Sequence, residues 1–386
     1  MISKKQHIVR RLGLPLALLL LCIGLFWLPT GFEAEVDENS VRSRAQVLEV
    51  DNSQVYKQGM VTSGEQGLQV EIQDGPFAGE QLRTSNNLLG QMDRETLFQE
   101  GDTVRVVLSL NHEGQIVHTS VQDHARLGSE LLLLGLFALL LLVFGGWTGA
   151  KALLSFLLAA LMLWKILIPA LLQGWDPVWI TLGVVALLCA SIIFLVGGVN
   201  RKALTAFLGA FLGVLTSCVL AVLFTDILQL RGAVMPFAET LLYAGYEHLD
   251  LTKIYVAAVF LACSGAVMDL SMDVAASMQE VVEQNPDISG LQLMSSGLNV
   301  GRAVVGTMTT TLLLAYSGGF ITLLMAFMAK GVPLDSTFNF IYVAAEVLKT
   351  IVGSFGLVTV APFTALVGGL LMRQGAWRSQ AVELSN

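Results

Sequence analysis

The sequence predicts a polytopic α-helical bundle of about eight transmembrane helices, with a small extracytoplasmic all-β domain, an OB-like barrel, inserted after helix 1. Three observations predict it. The 386 residues are 54% hydrophobic and only 13% charged, whereas a soluble domain carries roughly a quarter charged residues. The apolar residues are gathered into runs of about 17 or more, enough to cross a hydrocarbon core of roughly 30 Å. Between the first two runs the pattern changes to alternation of apolar and polar residues, the two-residue period of half-buried strands.

Residues 1–32 read as a signal anchor, with a cleavable signal peptide as the alternative: Lys4, Lys5, Arg10 and Arg11 precede the apolar run Leu12–Leu28, and PTGFEAEVDE after it has no clean small-x-small cleavage site, which favours the anchor. Residues 33–126 read as the β-domain. AQVLEV (45–50), LQVEIQ (68–73), TVRVVLSL (103–110) and QIVHTSVQ (115–122) alternate, and DGPFAG and NHEG supply turns, which predicts about five short strands. This stretch holds 7 Lys+Arg against 16 Asp+Glu, a net of −9, which excludes nucleic acid as its partner.

Residues 127–373 read as the helical membrane domain, with spans near 129–147, 152–172, 177–197, 203–225, 252–270, 303–328 and 338–372, an amphipathic cytoplasmic segment near 270–298, and a cytoplasmic tail at 374–386. The 226–251 stretch is too polar at its end for another full span and reads as a re-entrant or interfacial helix. Lys and Arg accumulate in cytoplasmic loops. Eight spans with both termini cytoplasmic put Lys151, Arg201, Lys202, Arg302, Arg373 and Arg378 inside and the β-domain outside. The expected location is a bacterial cytoplasmic membrane.

Charges inside spans are costly and therefore informative. In GAVMDLSMDVAASMQEVVE (265–283), Asp269, Asp273, Glu280 and Glu283 fall within about 40° of one line at 100° per residue, opposite an apolar stripe. Asp269 and Asp273 suit a proton, a hard cation or a cationic solute; an amphipathic helix leaving the membrane would place the same acids in water. In NVGRAVVGTMTTTLLLAYSGG (299–319), Gly306, Thr309 and Thr310 also suit helix packing, whereas Asn299 and Arg302 suggest pairing with Asp269 or Asp273 at the same membrane face. Glu346 and Lys349 lie three apart on one helix face, a self-neutralising pair within the last span. Gly318 and Gly319, and Gly353 and Gly356, mark possible helix breaks of the kind that free backbone groups for ion coordination; a single long or kinked helix is the alternative over 338–372. Lys165, alone in its span, is expected to snorkel or pair, and Gly209–Gly213 reads as packing.

The four cysteines, Cys22, Cys189, Cys218 and Cys263, all fall in apolar runs without the paired spacing of a metal site. His112, His118 and His124 in the β-domain read as surface residues. HExxH, GxSxG, Walker A and GxGxxG patterns are absent, so no catalytic residue, cofactor or metal is expected.

The runs DGPFAGEQLRTSNNL (74–88) and EGDTVRVVL (100–108), then MDLSMDVAASMQEV (268–281), SGLNVGRAVVGTMTTTLLLAYSGG (296–319) and AEVLKTIVGSFGLVTVAPFTALVGG (345–369), resemble the YibE/F-like family of bacterial multi-pass membrane proteins. The resemblance spans 33–372. It implies the architecture and lends no catalytic or binding residues. The expectation from the residues is a secondary transporter or channel-like permease for an ion or small charged solute, with Asp269, Asp273, Asn299, Arg302, Thr309, Thr310, Glu346 and Lys349 along its path. The alternative is a non-transporting scaffold or receptor whose β-domain binds an envelope partner. Expected partners are the lipid bilayer, the solute, and a homo-oligomeric or second membrane subunit.

Overall fold

The computed structural model describes residues 4–32, 39–91 and 95–372. The predicted start of the β-domain at 33–38 and the tail at 374–386 lie outside the described residues. The chain divides into two compact units, Gly31–Val143 and the remainder, Met1–Thr30 with Phe144–Asn386.

In the smaller unit five strands, β1 (Ser40–Gln58), β2 (Val61–Ile72), β3 (Gln81–Leu89), β4 (Thr103–Leu110) and β5 (Ile116–His124), close a barrel in the order β1-β2-β3-β5-β4. The expected small barrel is present. Its core is the alternation read from sequence: Ala45 and Val47, Leu68, Val70 and Ile72, and Val104, Val106 and Leu108 are all buried. All junctions are antiparallel except β3–β5, which pair in parallel at Ser85 and Ser120. At 19 residues β1 is long enough to pair with both β2 and β4 because it shifts register between Val47 and Glu49 and between Asp51 and Gln54. At the second irregularity a Cβ on Gly64 would lie 2.1 Å from the Gln54 carbonyl oxygen, so only glycine fits there.

Gln66, fully buried, replaces a strand partner for the 95–99 segment. Its amide donates to the Asn52 side chain and to the Phe98 carbonyl, both at 2.9 Å, and its carbonyl accepts from the Phe98 N–H at 3.1 Å and from Asn86 at 3.2 Å. Gln66→Leu leaves buried donors and acceptors unmet and should destabilise the barrel by about 2–4 kcal/mol. Thermal unfolding of the whole protein followed by β-sheet circular dichroism checks this; an unshifted transition contradicts it.

The larger unit is helical. It comprises α1 (Lys4–Trp27), the second arm of α2 (Leu127–Met162), a π-helical turn (Leu163–Leu167), α3 (Ile168–Leu172), α4 (Pro177–Gly197), α5 (Arg201–Ile227), α6 (Ala238–Tyr243), α7 (Leu251–Gln284), α8 (Gly290–Ser317), α9 (Ile321–Ala329), α10 (Leu334–Asn339) and α11 (Ile341–Leu371). Six helical stretches are long and apolar enough to cross a membrane, and α1 carries a shorter apolar stretch, Gly13–Trp27. The two expected spans at 129–147 and 152–172 form one helical stretch, Leu127–Leu172, interrupted at Gly146 (φ 51°, ψ −124°). Gly146 takes a conformation that glycine alone adopts freely.

Local signals set the helix ends. Asp176 caps α4 by accepting from Val178 and Trp179, with Pro177 at the first helical position. Lys253 donates to the same carboxylate at 2.7 Å and holds it below the usual carboxylate range. Asn200 caps α5, Asp250 caps α7, and Ser289 with Gln292 forms a capping box on α8. Lys165, in the π-helical turn, donates to the Leu28 carbonyl at 2.9 Å. Between α5 and α7 the helical elements are a 3₁₀ turn, Gly232–Val234, and the six-residue α6.

Three helices form the centre: α5, α7 and α11 pack on one another, α8 packs on α7 and α11, and α4 on α5 and α7. Small residues make this possible. Cβ atoms at Gly209 and Gly356 would lie 2.0 Å from Thr364 Oγ1 and 2.2 Å from Ser217 Oγ, so α5 and α11 meet almost backbone to backbone. Gly353 and Gly356 accordingly do not break α11, which runs unbroken from Ile341 to Leu371 and through Pro362. Their missing side chains admit α5 and α7 instead. At Gly318–Phe320 the helix does change, tightening to a 3₁₀ turn between α8 and α9. The expected span at 252–270 and the start of the expected amphipathic segment form one helix, α7, which continues to Gln284 with Leu270, Val274, Met278 and Val282 buried along one face.

Candidate functional site

The polar residues singled out by sequence fall into three places within the helical unit. At the start of α11, Lys349 Nζ lies 3.4 Å from Glu346 Oε1, with the two side chains 28% and 25% exposed. At 100° per residue Glu346 shares a face with Gly353, Val360 and Thr364, the face of α11 turned to the bundle. Lys349 stands 4.9 Å from the centre of the Tyr316 ring of α8, a cation–π contact. The buried Tyr316 hydroxyl has no hydrogen-bond partner. Beside them the Tyr255 hydroxyl of α7 donates to the Ala345 carbonyl at 2.5 Å and fixes where α11 begins.

The second place is on α7. This is the most enclosed of the membrane-length helices, yet one narrow stripe stays open: Ala258, Ala262, Gly265, Asp269 and Asp273 are exposed. Spacings of four, three, four and four keep these residues on one line. A Cβ on Gly265 would meet nothing within 4 Å. The flanks of α7 are occupied: Met272 packs at Gly197 of α4, and Val274 and Met278 at Gly301 and Gly297 of α8. The stripe is made of small residues along most of its length and is acidic at one end, and the faces of α7 on either side of it meet α4 and α8. Along α7, Asp269 is 14 residues from Tyr255, about 20 Å at 1.5 Å per residue, so the Glu346 pair and the aspartates mark opposite ends of the bundle.

The third place is the outer face of α8. Arg302 Nη1 donates to Asn299 Oδ1 at 3.3 Å, and both residues are exposed. Thr309 and Thr310 return their hydroxyls to carbonyls of the preceding turn, Thr309 to Val305 and Gly306 and Thr310 to Gly306. The expected pairing of Asn299 and Arg302 with Asp269 or Asp273 is not made: among the described residues no ion pair joins them. Gly297 and Gly301 take the contact with α7 and α11, and Arg302, one position on, is turned about 100° off it.

Sequence reasoning passed over Tyr255 and Tyr316 and did not extend the acidic line of α7 back through Gly265, Ala262 and Ala258. The signal was available: a tyrosine deep in a span needs a partner for its hydroxyl, and a line of small residues continuing a line of acids predicts one uninterrupted face. Among the described residues no three His, Cys, Asp or Glu side chains gather as a metal set. All four cysteines are buried thiols.

Taken together, a bundle with six apolar helical stretches long enough to cross a membrane is consistent with a multi-pass membrane type of protein. The YibE/F-like protein family matches residues 133–374, well over half of the sequence, and the chain belongs to that family. No curated protein and no solved structure matches the chain. The matched residues include α4 to α11 and therefore all three polar places; the barrel strands lie outside the match.

Proposed function

We propose that this chain is a secondary transporter or channel-like permease of the bacterial cytoplasmic membrane, moving an ion or a small charged solute. Eight crossings are made by α1, the two arms about Gly146, α4, α5, α7, α8 with α9, and α11. The Leu127–Leu172 stretch alone, 46 residues, measures about 70 Å if straight, more than twice the roughly 30 Å of a hydrocarbon core. Both termini are cytoplasmic and the OB-like barrel is extracytoplasmic.

The observation that carries the reading is the Glu346–Lys349 pair on the bundle-facing side of α11, partly accessible and set against the ring of Tyr316, whose buried hydroxyl lacks a partner. An ion pair at that depth costs more than an apolar pair of the same volume, and an unmet buried hydroxyl is a place for water or solute. In this reading Glu346 and Lys349 form the outer gate and Asp269 and Asp273 the inner carboxylates, with the open stripe of α7 between them. A sealed scaffold would instead neutralise Asp269, Arg302 and Glu346 against one another, whereas among the described residues no ion pair joins these three and Glu346 pairs with Lys349. Proteoliposome flux across a panel of ions tests the proposal: Glu346→Gln and Asp269→Asn should each lower flux about tenfold, the equivalent of about 1.4 kcal/mol lost from the pathway. Flux unchanged in both removes the path.

A further inference from the structure

A cavity of about 500 Å³ lies at one end of the bundle, lined by Leu14 and Pro15 of α1, Trp147 and Lys151 of α2, the last residues of α4 from Phe194, and the link Gly198–Asn200 to α5. That volume is within the range of small-molecule sites. None of the eight path residues lines it. Lys151 is half-buried in its wall, and among the described residues it has no hydrogen-bond or ion-pair partner. The other polar side chain in the wall is committed: Asn200 accepts from the Ala203 N–H and donates to the Gly197 carbonyl. The cavity therefore presents one free cation in a concave site.

Charge selects the ligand. The described stretches that line and flank it, 13–15, 144–155 and 194–208, contain Lys151, Arg201 and Lys202 and no aspartate or glutamate. The α7 carboxylates Asp269 and Asp273 do not line the cavity. Depth selects the source. The link between α4 and α5 joins two membrane-length helices, so it lies at the level of lipid headgroups, and Trp147, 56% exposed beside Lys151, is the residue type that anchors there. Basic pockets between helix ends at that level suit phospholipid phosphates.

We infer that this cavity binds a phosphate-bearing anion, the phosphodiester of an anionic phospholipid, with Lys151 as its counter-charge. The inference rests on the proposed bilayer placement and is independent of transport. In full-length protein stripped of lipid, native mass spectrometry should show phosphatidylglycerol retained over phosphatidylcholine. Lys151→Gln should lower phosphatidylglycerol affinity about fivefold, the effect of one headgroup-level cation, whereas Lys330→Gln should leave it unchanged. Each variant is compared at matched thermal stability, so loss of fold is not read as loss of binding. Equal retention of the two lipids, or no change in Lys151→Gln, overturns the inference. Inorganic phosphate competing at equal concentration overturns the lipid source and leaves a soluble-phosphate site. Alkaline carbonate extraction of native membranes separates the two failures: extracted protein defeats the bilayer placement, and retained protein without lipid discrimination defeats only this site.

Discussion

Gly209→Leu should leave little folded protein. A Cβ at that position would fall 2.0 Å from Thr364 Oγ1 and 2.8 Å from Thr364 Cα, and the latter is backbone that cannot swing aside. The α5–α11 contact is the most extensive between helices of the bundle, and separating it would also open the seats of Gly213 and Gly356 on α7. Overpacking a filled core costs about 1–3 kcal/mol when side chains can adjust and more when backbone must move; here about 3 kcal/mol or more is expected. Gly306→Leu is the matched control, since a Cβ there meets nothing within 4 Å. Size-exclusion profiles of detergent-solubilised protein should show aggregate for Gly209→Leu and a monodisperse peak for Gly306→Leu. Two equal peaks would mean that α5 and α11 do not meet at this glycine.

The second large effect separates fold from function at the start of α11. Lys349→Met alone leaves Glu346 charged, three-quarters covered and without its partner, and should cost about 2 kcal/mol, below the 3–5 kcal/mol of a fully buried pair because a quarter of each side chain still meets solvent. Replacing both, Glu346→Leu with Lys349→Met, should recover stability to within about 1 kcal/mol of wild type, because a hydrophobic pair of similar volume needs no desolvation. Flux should not recover. Melting temperatures of the single and double variants, read beside flux in the same preparations, give the comparison. A double variant that regains both would reduce the pair to a structural clasp.

Much of the architecture was legible because each element obeys one dominant rule. The barrel core follows from Ala45, Val47, Leu68, Val70, Val104 and Val106 alternating along strands, and the helix starts at Asp176, Asn200 and Ser289 follow from capping chemistry. Glycine was harder to read. Gly353 and Gly356 satisfy the same local pattern whether they break a helix or admit a neighbour, and only the presence of Cys263 and Ser217 against them decides for packing. Gly146, by contrast, does interrupt its helix, in a run where apolar residues on every side gave no periodicity to locate a turn. The Glu346–Lys349 pair was visible from its spacing because an i, i+3 contact is local. The separation of Arg302 from Asp269 was not, since it depends on which face of α8 Gly297 and Gly301 surrender to α7 and α11.

The claim under all of this is that water and a hydrophilic solute reach the open stripe of α7. Cysteine labelling tests it most directly: with Cys22, Cys189, Cys218 and Cys263 replaced, Gly265→Cys on the stripe and Leu140→Cys on the exposed apolar face of α2 are treated with a membrane-impermeant maleimide in sealed vesicles. The account predicts that Gly265→Cys is modified and Leu140→Cys is not. Equal protection of both would place the stripe against lipid or protein and contradict the proposed path.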